Sequence, residues 1–91
     1  MIEIKQAYKL AIKFAKENKD EIKYLTSCVE IEDRYIFSFS YSANTEVVDD
    51  GCNIEVYKEN GNVDYHDFLD IENMKKRING KKISPNFFKG V

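Results

Sequence analysis

His66 is the only histidine in the chain, and it lies in the run Asp64-Tyr65-His66-Asp67-Phe68-Leu69-Asp70. On a strand, Asp64 and His66 project from one face, and Asp67 or Asp70 comes within reach. An imidazole with carboxylate oxygens at this spacing resembles a divalent-metal donor set. Neither a second His nor a cysteine stands beside it to close a site. The expectation is therefore an exposed His among carboxylates at the end of a hairpin, with no metal and no cofactor. Cys28 and Cys52 are the only thiols. A cysteine nucleophile needs a base within hydrogen-bond reach, and His66 is the single candidate. Cys28 falls within an expected strand and Cys52 at the start of another, so both read as packing residues. They could form at most one bridge, and without a secretory signal they are expected to be reduced.

Other chemistry is thinner still. One His and no elbow motif leave no Ser-His-Asp arrangement. Asp49-Asp50-Gly51 is like a fragment of a calcium loop, but the series of oxygen ligands that should follow is missing. It reads as a turn. Neither GxxxxGK[ST] nor GxGxxG occurs, so no phosphate-cradling loop of those kinds is expected. Enzymatic function is not expected.

The elements that would position these residues follow from periodicity. In residues 3–19, Ile4, Ala7, Tyr8, Ala11, Phe14 and Ala15 form one helical stripe, with Lys5, Lys9, Lys13 and Lys16 away from it. Its small Ala residues allow close approach to a sheet, and Asn18-Lys19-Asp20 is the expected exit. A helix lying on a membrane surface is the competing reading; the strands that follow need an apolar cover and favour the first. Residues 23–31 read as a strand with Leu25, Val29 and Ile31 on one face and Tyr24, Thr26, Cys28 and Glu30 on the other. Glu32-Asp33 is a turn. In residues 34–42, Tyr35, Phe37, Phe39 and Tyr41 alternate with Ile36, Ser38, Ser40 and Ser42. The aromatic face should meet the helix and the serine face should look outward.

Residues 43–52 form the longest polar connection. Residues 53–58 are a strand with Ile54 and Val56 inward and Glu55 and Tyr57 outward. Asn60-Gly61 supplies the positive φ angles of a hairpin turn, and 63–67 return as its partner. Asp70 is an expected N-cap for a short helix carrying Ile71, Met74 and Ile78. Gly80 stands where a helix C-terminal glycine belongs. Ile83-Ser84-Pro85-Asn86-Phe87-Phe88 reads as an extended tail whose two Phe cover an apolar patch. The expected fold is one α+β domain over residues 1–91. An N-terminal helix packs on an antiparallel meander of about four strands, followed by a short C-terminal helix and the tail.

Composition bounds the function classes. The chain has 91 residues, six Tyr, six Phe and one Pro, enough apolar surface to argue against intrinsic disorder. No run of ~18 apolar residues exists to span a membrane. The start Met1-Ile2-Glu3-Ile4-Lys5 lacks a signal-peptide core, so a cytoplasmic location is expected. The net charge of −2 hides an asymmetry: residues 1–23 carry +2, residues 24–73 carry −10 and residues 74–91 carry +6. The acidic middle is either a solvated surface or a face for a basic partner, and it would repel nucleic acid. The basic end, with Lys75-Lys76-Arg77, complements a helix dipole and makes nucleic-acid binding a lesser alternative.

Three stretches are similar to the YrhB-like small bacterial immunity proteins found beside polymorphic toxins. They are the helix with Ile4, Ala7 and Ala11, the aromatic strand Arg34–Ser42, and the hairpin Gly51-Cys52-Asn53-Ile54-Glu55-Val56-Tyr57-Lys58-Glu59-Asn60-Gly61-Asn62-Val63. Asn53 stands where the family tends to have Pro, and its middle-strand Trp is missing. The resemblance spans residues 1–66 and implies a non-enzymatic cytoplasmic protein that binds and neutralises a toxin. No catalytic residue carries over. The acidic middle suits a basic, nuclease-like toxin, since charge complementarity speeds encounter and sets specificity. The candidate contacts are Glu46, Asp49, Asp50, Glu55, Glu59, Asp64 and Asp67, with Tyr57 as an aromatic anchor. The alternative is a structural or self-associating domain that forms homo-oligomers through an exposed strand edge.

Overall fold

A computed structural model describes residues 1–19, 24–40, 51–66 and 70–90. The first element, α1, spans Ile4–Glu17. Its Ala7, Ala11 and Ala15 recur every fourth residue and are fully buried. Their methyl groups leave room for the helix backbone to come close to the sheet. The helix ends as expected: the Asn18 amide donates to the Phe14 carbonyl, and Lys19 turns left-handed at φ 60°.

Five strands follow: β1 (Tyr24–Glu30), β2 (Arg34–Ser40), β3 (Gly51–Tyr57), β4 (Val63–Tyr65) and β5 (Lys81–Ile83). They form one antiparallel sheet in the order β4-β3-β2-β1-β5. Helix α2 (Ile71–Ile78) precedes β5, and a 3₁₀ turn, Pro85–Phe88, follows it. The α+β class is as expected, but the sheet has a fifth strand. Lys81–Ile83 pairs with the edge of β1, setting Cys28 opposite Ile83 and Glu30 opposite Lys81. A three-residue strand is too short to show a period of two.

The aromatic face of β2 meets α1 as its alternation predicts. Phe37 is fully buried, with Tyr8 edge-on at 5.9 Å between ring centroids. Ile54 and Val56 join it from β3. Tyr41 and Ser42, the expected end of this strand, lie outside the described residues.

Three readings of local pattern are corrected. First, β1 does not alternate cleanly, because the register slips between Leu25 and Ser27. Thr26 is the extra residue of a bulge, and its hydroxyl donates to the Ser38 carbonyl at 3.0 Å. The slip puts Leu25 and Cys28 on the α1 face and Val29 on the other. Second, the face bearing Ile36 and Ser38 is not outward: both are buried. Third, the tail is not simply extended. Pro85 opens the 3₁₀ turn and Ser84 caps it, accepting from the Asn86 amide. Only Phe88 is covered, stacked on Tyr8 at 4.7 Å. Phe87 stays half-exposed, with the Lys5 ammonium 5.3 Å from its ring centre.

Two glycines have definite work. Gly61 takes φ 73° in the β3–β4 hairpin, while Asn60 does not share the left-handed region. Gly80 has no positive φ, so its expected role as a left-handed helix terminator is replaced by another. A Cβ there would strike the side chains of Val29 and Ile31 and come within 2.9 Å of the Glu30 carbonyl. Gly80 therefore lets the chain pass close over β1 on its way into β5. Gly80→Ala is expected to lower stability by about 1–3 kcal/mol through this overpacking. A urea midpoint unchanged from wild type would refute that role.

Candidate functional site

The polar residues converge on the sheet face opposite α1. Arg34 begins β2 immediately after the Glu32-Asp33 turn, and Glu55 lies on the neighbouring strand β3. The Arg34 Nη1 donates to Glu55 Oε2 at 3.0 Å, and its Nε and Nη2 donate to the two carboxylate oxygens of Asp33. The guanidinium also lies 4.9 Å from the centre of the Tyr57 ring. Tyr57 in turn donates its hydroxyl to Glu55 Oε1 at 3.3 Å. His66 follows β4, where its amide donates to the Asn53 carbonyl. Its Nδ1 sits 3.1 Å from Glu55 Oε2. Glu55 is thus the hub, with both oxygens engaged.

The charges in this cluster sustain one another. Burial works against the Arg34 cation, but hydrogen bonds to Asp33 and Glu55 outweigh it and hold its pKa above the ordinary value. The hydrogen bond from Arg34 keeps Asp33 below the usual carboxylate range. Burial pushes the Tyr57 hydroxyl up, and the Glu55 carboxylate adds to the shift.

A second group adjoins the first. Ser38 Oγ donates to Asn53 Oδ1 at 2.6 Å, and Arg77 Nη2 donates to Ser38 Oγ at 2.8 Å. Arg77 Nη1 reaches Asn53 Oδ1 at 3.4 Å. Asn53 therefore ties β3 to β2 and to α2. These bonds explain why the serine face is buried: α2 reaches over it through Arg77.

His66 is not exposed among carboxylates. Its side chain is 1% exposed, and Nε2 has no hydrogen-bond partner among the described residues. Among those residues no group of three or more His, Cys, Asp and Glu is placed to hold a metal ion. The Nδ1 contact holds the His66 ring against Glu55. The thiols do not meet it. Cys28 and Cys52 pair across from Phe37 and Phe39 on the α1 face, so the sheet separates both from His66. They are reduced. With β2 between their strands and a two-residue offset along it, they stand more than about 10 Å apart, beyond the ~7 Å reach of a disulfide.

Burial, helped by the Glu30 carboxylate, pushes the Cys28 thiol up to about 12. An unfolded cysteine ionises near ~8.5, so at high pH the unfolded chain binds fewer protons. The contribution is fully present below that pKa and is lost as pH rises through about 12. Stability should therefore fall more steeply across this window in wild type than in Cys28→Ala, read from urea midpoints at successive pH values. Equal slopes would refute it. Tyr35 is shifted up by burial in the same way, but it is present in both proteins.

The expected partner contacts divide. Glu59 and Asp64 are exposed on the hairpin. Tyr57 is half-buried, and Glu55 is only 7% exposed and held in the ion-pair cluster. A strand position on the non-aromatic face placed Glu55 outward, and the cluster encloses it instead. Glu46, Asp49, Asp50 and Asp67 lie outside the described residues. Residue types alone did not bring Arg34, Ser38, Asn53 and Arg77 into the site. The available signal was opposite charge on adjacent strands at Arg34 and Glu55.

Comparison with protein-family models, with curated proteins and with solved structures found no match. Among the described residues no helix is long and apolar enough to cross a membrane.

Proposed function

We propose that this chain is a non-enzymatic binding protein of the YrhB-like immunity kind, which neutralises a cognate basic toxin in the cytoplasm. The observation that carries the reading is the pair of exposed carboxylates, Glu59 and Asp64, presented by a hairpin whose base is held by the buried Arg34–Glu55 ion pair and the His66–Glu55 hydrogen bond. A rigid base lowers the ordering cost of binding. Exposed acids on it attract a cationic surface and speed encounter. Tyr57, fixed by Arg34 and Glu55, lies beside them as an aromatic contact. Glu55 is assigned to support of the hairpin rather than to the contact itself.

The test is capture from lysate of the source with tagged protein, followed by expression of the captured protein alone. The expected partner is basic, stoichiometric and released by salt. It arrests growth by itself, and co-expression of this chain relieves the arrest. Glu59→Lys with Asp64→Lys should weaken the complex while leaving the fold intact. A captured protein without toxicity, or no capture from cells known to make the toxin, would overturn the immunity reading. Binding indifferent to salt and to both substitutions would overturn the acidic face.

A second reading, self-association, has one observation in its favour. Ile71, Met74 and Ile78 on α2 are exposed, and such apolar surface can be covered by another copy. A mass that rises with concentration would support it, and a monomer at all concentrations would remove it.

A further inference from the structure

Two clefts flank the entry to β5, and their charges differ. One is lined by Glu30, Glu32 and Asp33 together with Lys58, Lys76 and Lys81, so its three acids are matched by three lysines. The other lies between α2 and the β1–β5 edge and has a volume of about 660 Å³, within the usual range of small-ligand sites. Val29 and Ile83 line it from the sheet, and Met74 and Ile78 from α2. Its two charged lining residues are Arg77 and Lys82, and no acid lines it among the described residues.

We propose that this second cleft binds a small anionic amphiphile, a free medium-chain carboxylate being the simplest case. The apolar stripe of α2 is the first reason. Met74 and Ile78 are 42% and 68% exposed although they line a cleft with other apolar walls. A hydrocarbon chain between helix and sheet would remove both from water. The second reason is charge. Arg77 is half-buried, and its hydrogen-bond partners among the described residues, Ser38 Oγ and Asn53 Oδ1, are neutral. Those two bonds pin the guanidinium, while its remaining N–H groups can serve a carboxylate. Lys82, exposed beside it, adds a second positive charge. An anionic head with an apolar tail matches both features, whereas a cationic amphiphile would meet two like charges.

The test is an amide-resolved NMR titration of the whole chain with decanoate, kept below its micelle concentration, against decyltrimethylammonium. Decanoate should give saturable shifts centred on Val29, Met74, Arg77, Ile78 and Lys82. The cationic analogue should bind at least about tenfold more weakly. Ile78→Glu and Lys82→Glu replace exposed side chains and should each weaken decanoate by about tenfold while leaving shifts elsewhere unchanged. Arg77→Gln should do the same; because it also alters the bonds to Ser38 and Asn53, the two surface variants carry the decision. Equal binding of both amphiphiles, shifts spread over other faces, or no saturable shift would overturn the proposal. So would α2 shifts that follow protein concentration alone, which would mean that a second copy covers the stripe. Binding only to anionic vesicles, with no response to free decanoate, would equally overturn it.

Discussion

Glu55→Ala is expected to cost about 3–5 kcal/mol of stability, because it strips the counter-charge from a buried cation. Arg34 would keep Asp33, whose side chain is 54% exposed, but would lose the enclosed partner at 3.0 Å. His66 Nδ1 would lose its acceptor at the same time. Glu55→Gln keeps the shape and one acceptor oxygen, so its loss should be smaller. Removing both charges, as in Arg34→Met with Glu55→Leu, should cost less than the sum of the single changes, since neither leaves an unpaired charge behind. Urea denaturation of wild type, Arg34→Met, Glu55→Leu and the double variant completes the cycle. A loss within ~1 kcal/mol for Glu55→Ala would mean that water solvates the cluster. The same series bears on function, because a supporting Glu55 should affect partner binding only as far as it affects the hairpin.

Phe37→Ala should be comparably damaging, at about 3–5 kcal/mol. The ring is fully buried on the central strand. It lies among Tyr8, Phe39 and Phe88, with ring centroids at 5.9, 6.4 and 5.7 Å. Truncation would open a cavity shared by α1, the sheet and the 3₁₀ turn, which cannot all collapse into it together. Phe87→Ala is the matched control. That ring is 49% exposed, and its loss should stay within ~0.5 kcal/mol. Similar urea midpoints for the two variants would contradict the placement of the core. A domain of this size commonly has about 5–15 kcal/mol in hand, so each of the two large losses is measurable and either could approach full unfolding.

The helix–sheet half of the molecule was legible because its signals are local. The stripe through Ala7, Ala11 and Ala15 faces the sheet as its spacing predicts. The alternation of Tyr35, Phe37 and Phe39 marks the face that meets α1. Asp70 caps α2, its carboxylate accepting from the Glu72 amide. The candidate site was much less legible. Arg34 and His66 meet Glu55 across 21 and 11 residues of chain. A charged side chain on the non-aromatic face reads as solvated until its partners are brought beside it. The bulge at Thr26 was hidden for a related reason: one extra residue reverses which side chains face the core, and only pairing with β2 reveals it.

The α+β class, the amphipathic first helix, the aromatic core strand and the hairpin at Gly61 are all legible in residue spacing within one segment. The fifth strand at Lys81–Ile83, the close passage over β1 that requires Gly80, and the enclosure of Glu55 and His66 emerge from contacts between distant segments. The physical reason is that apolar periodicity is a property of one segment, whereas a short edge strand, a steric approach or a buried charge is stabilised by groups that only folding brings together.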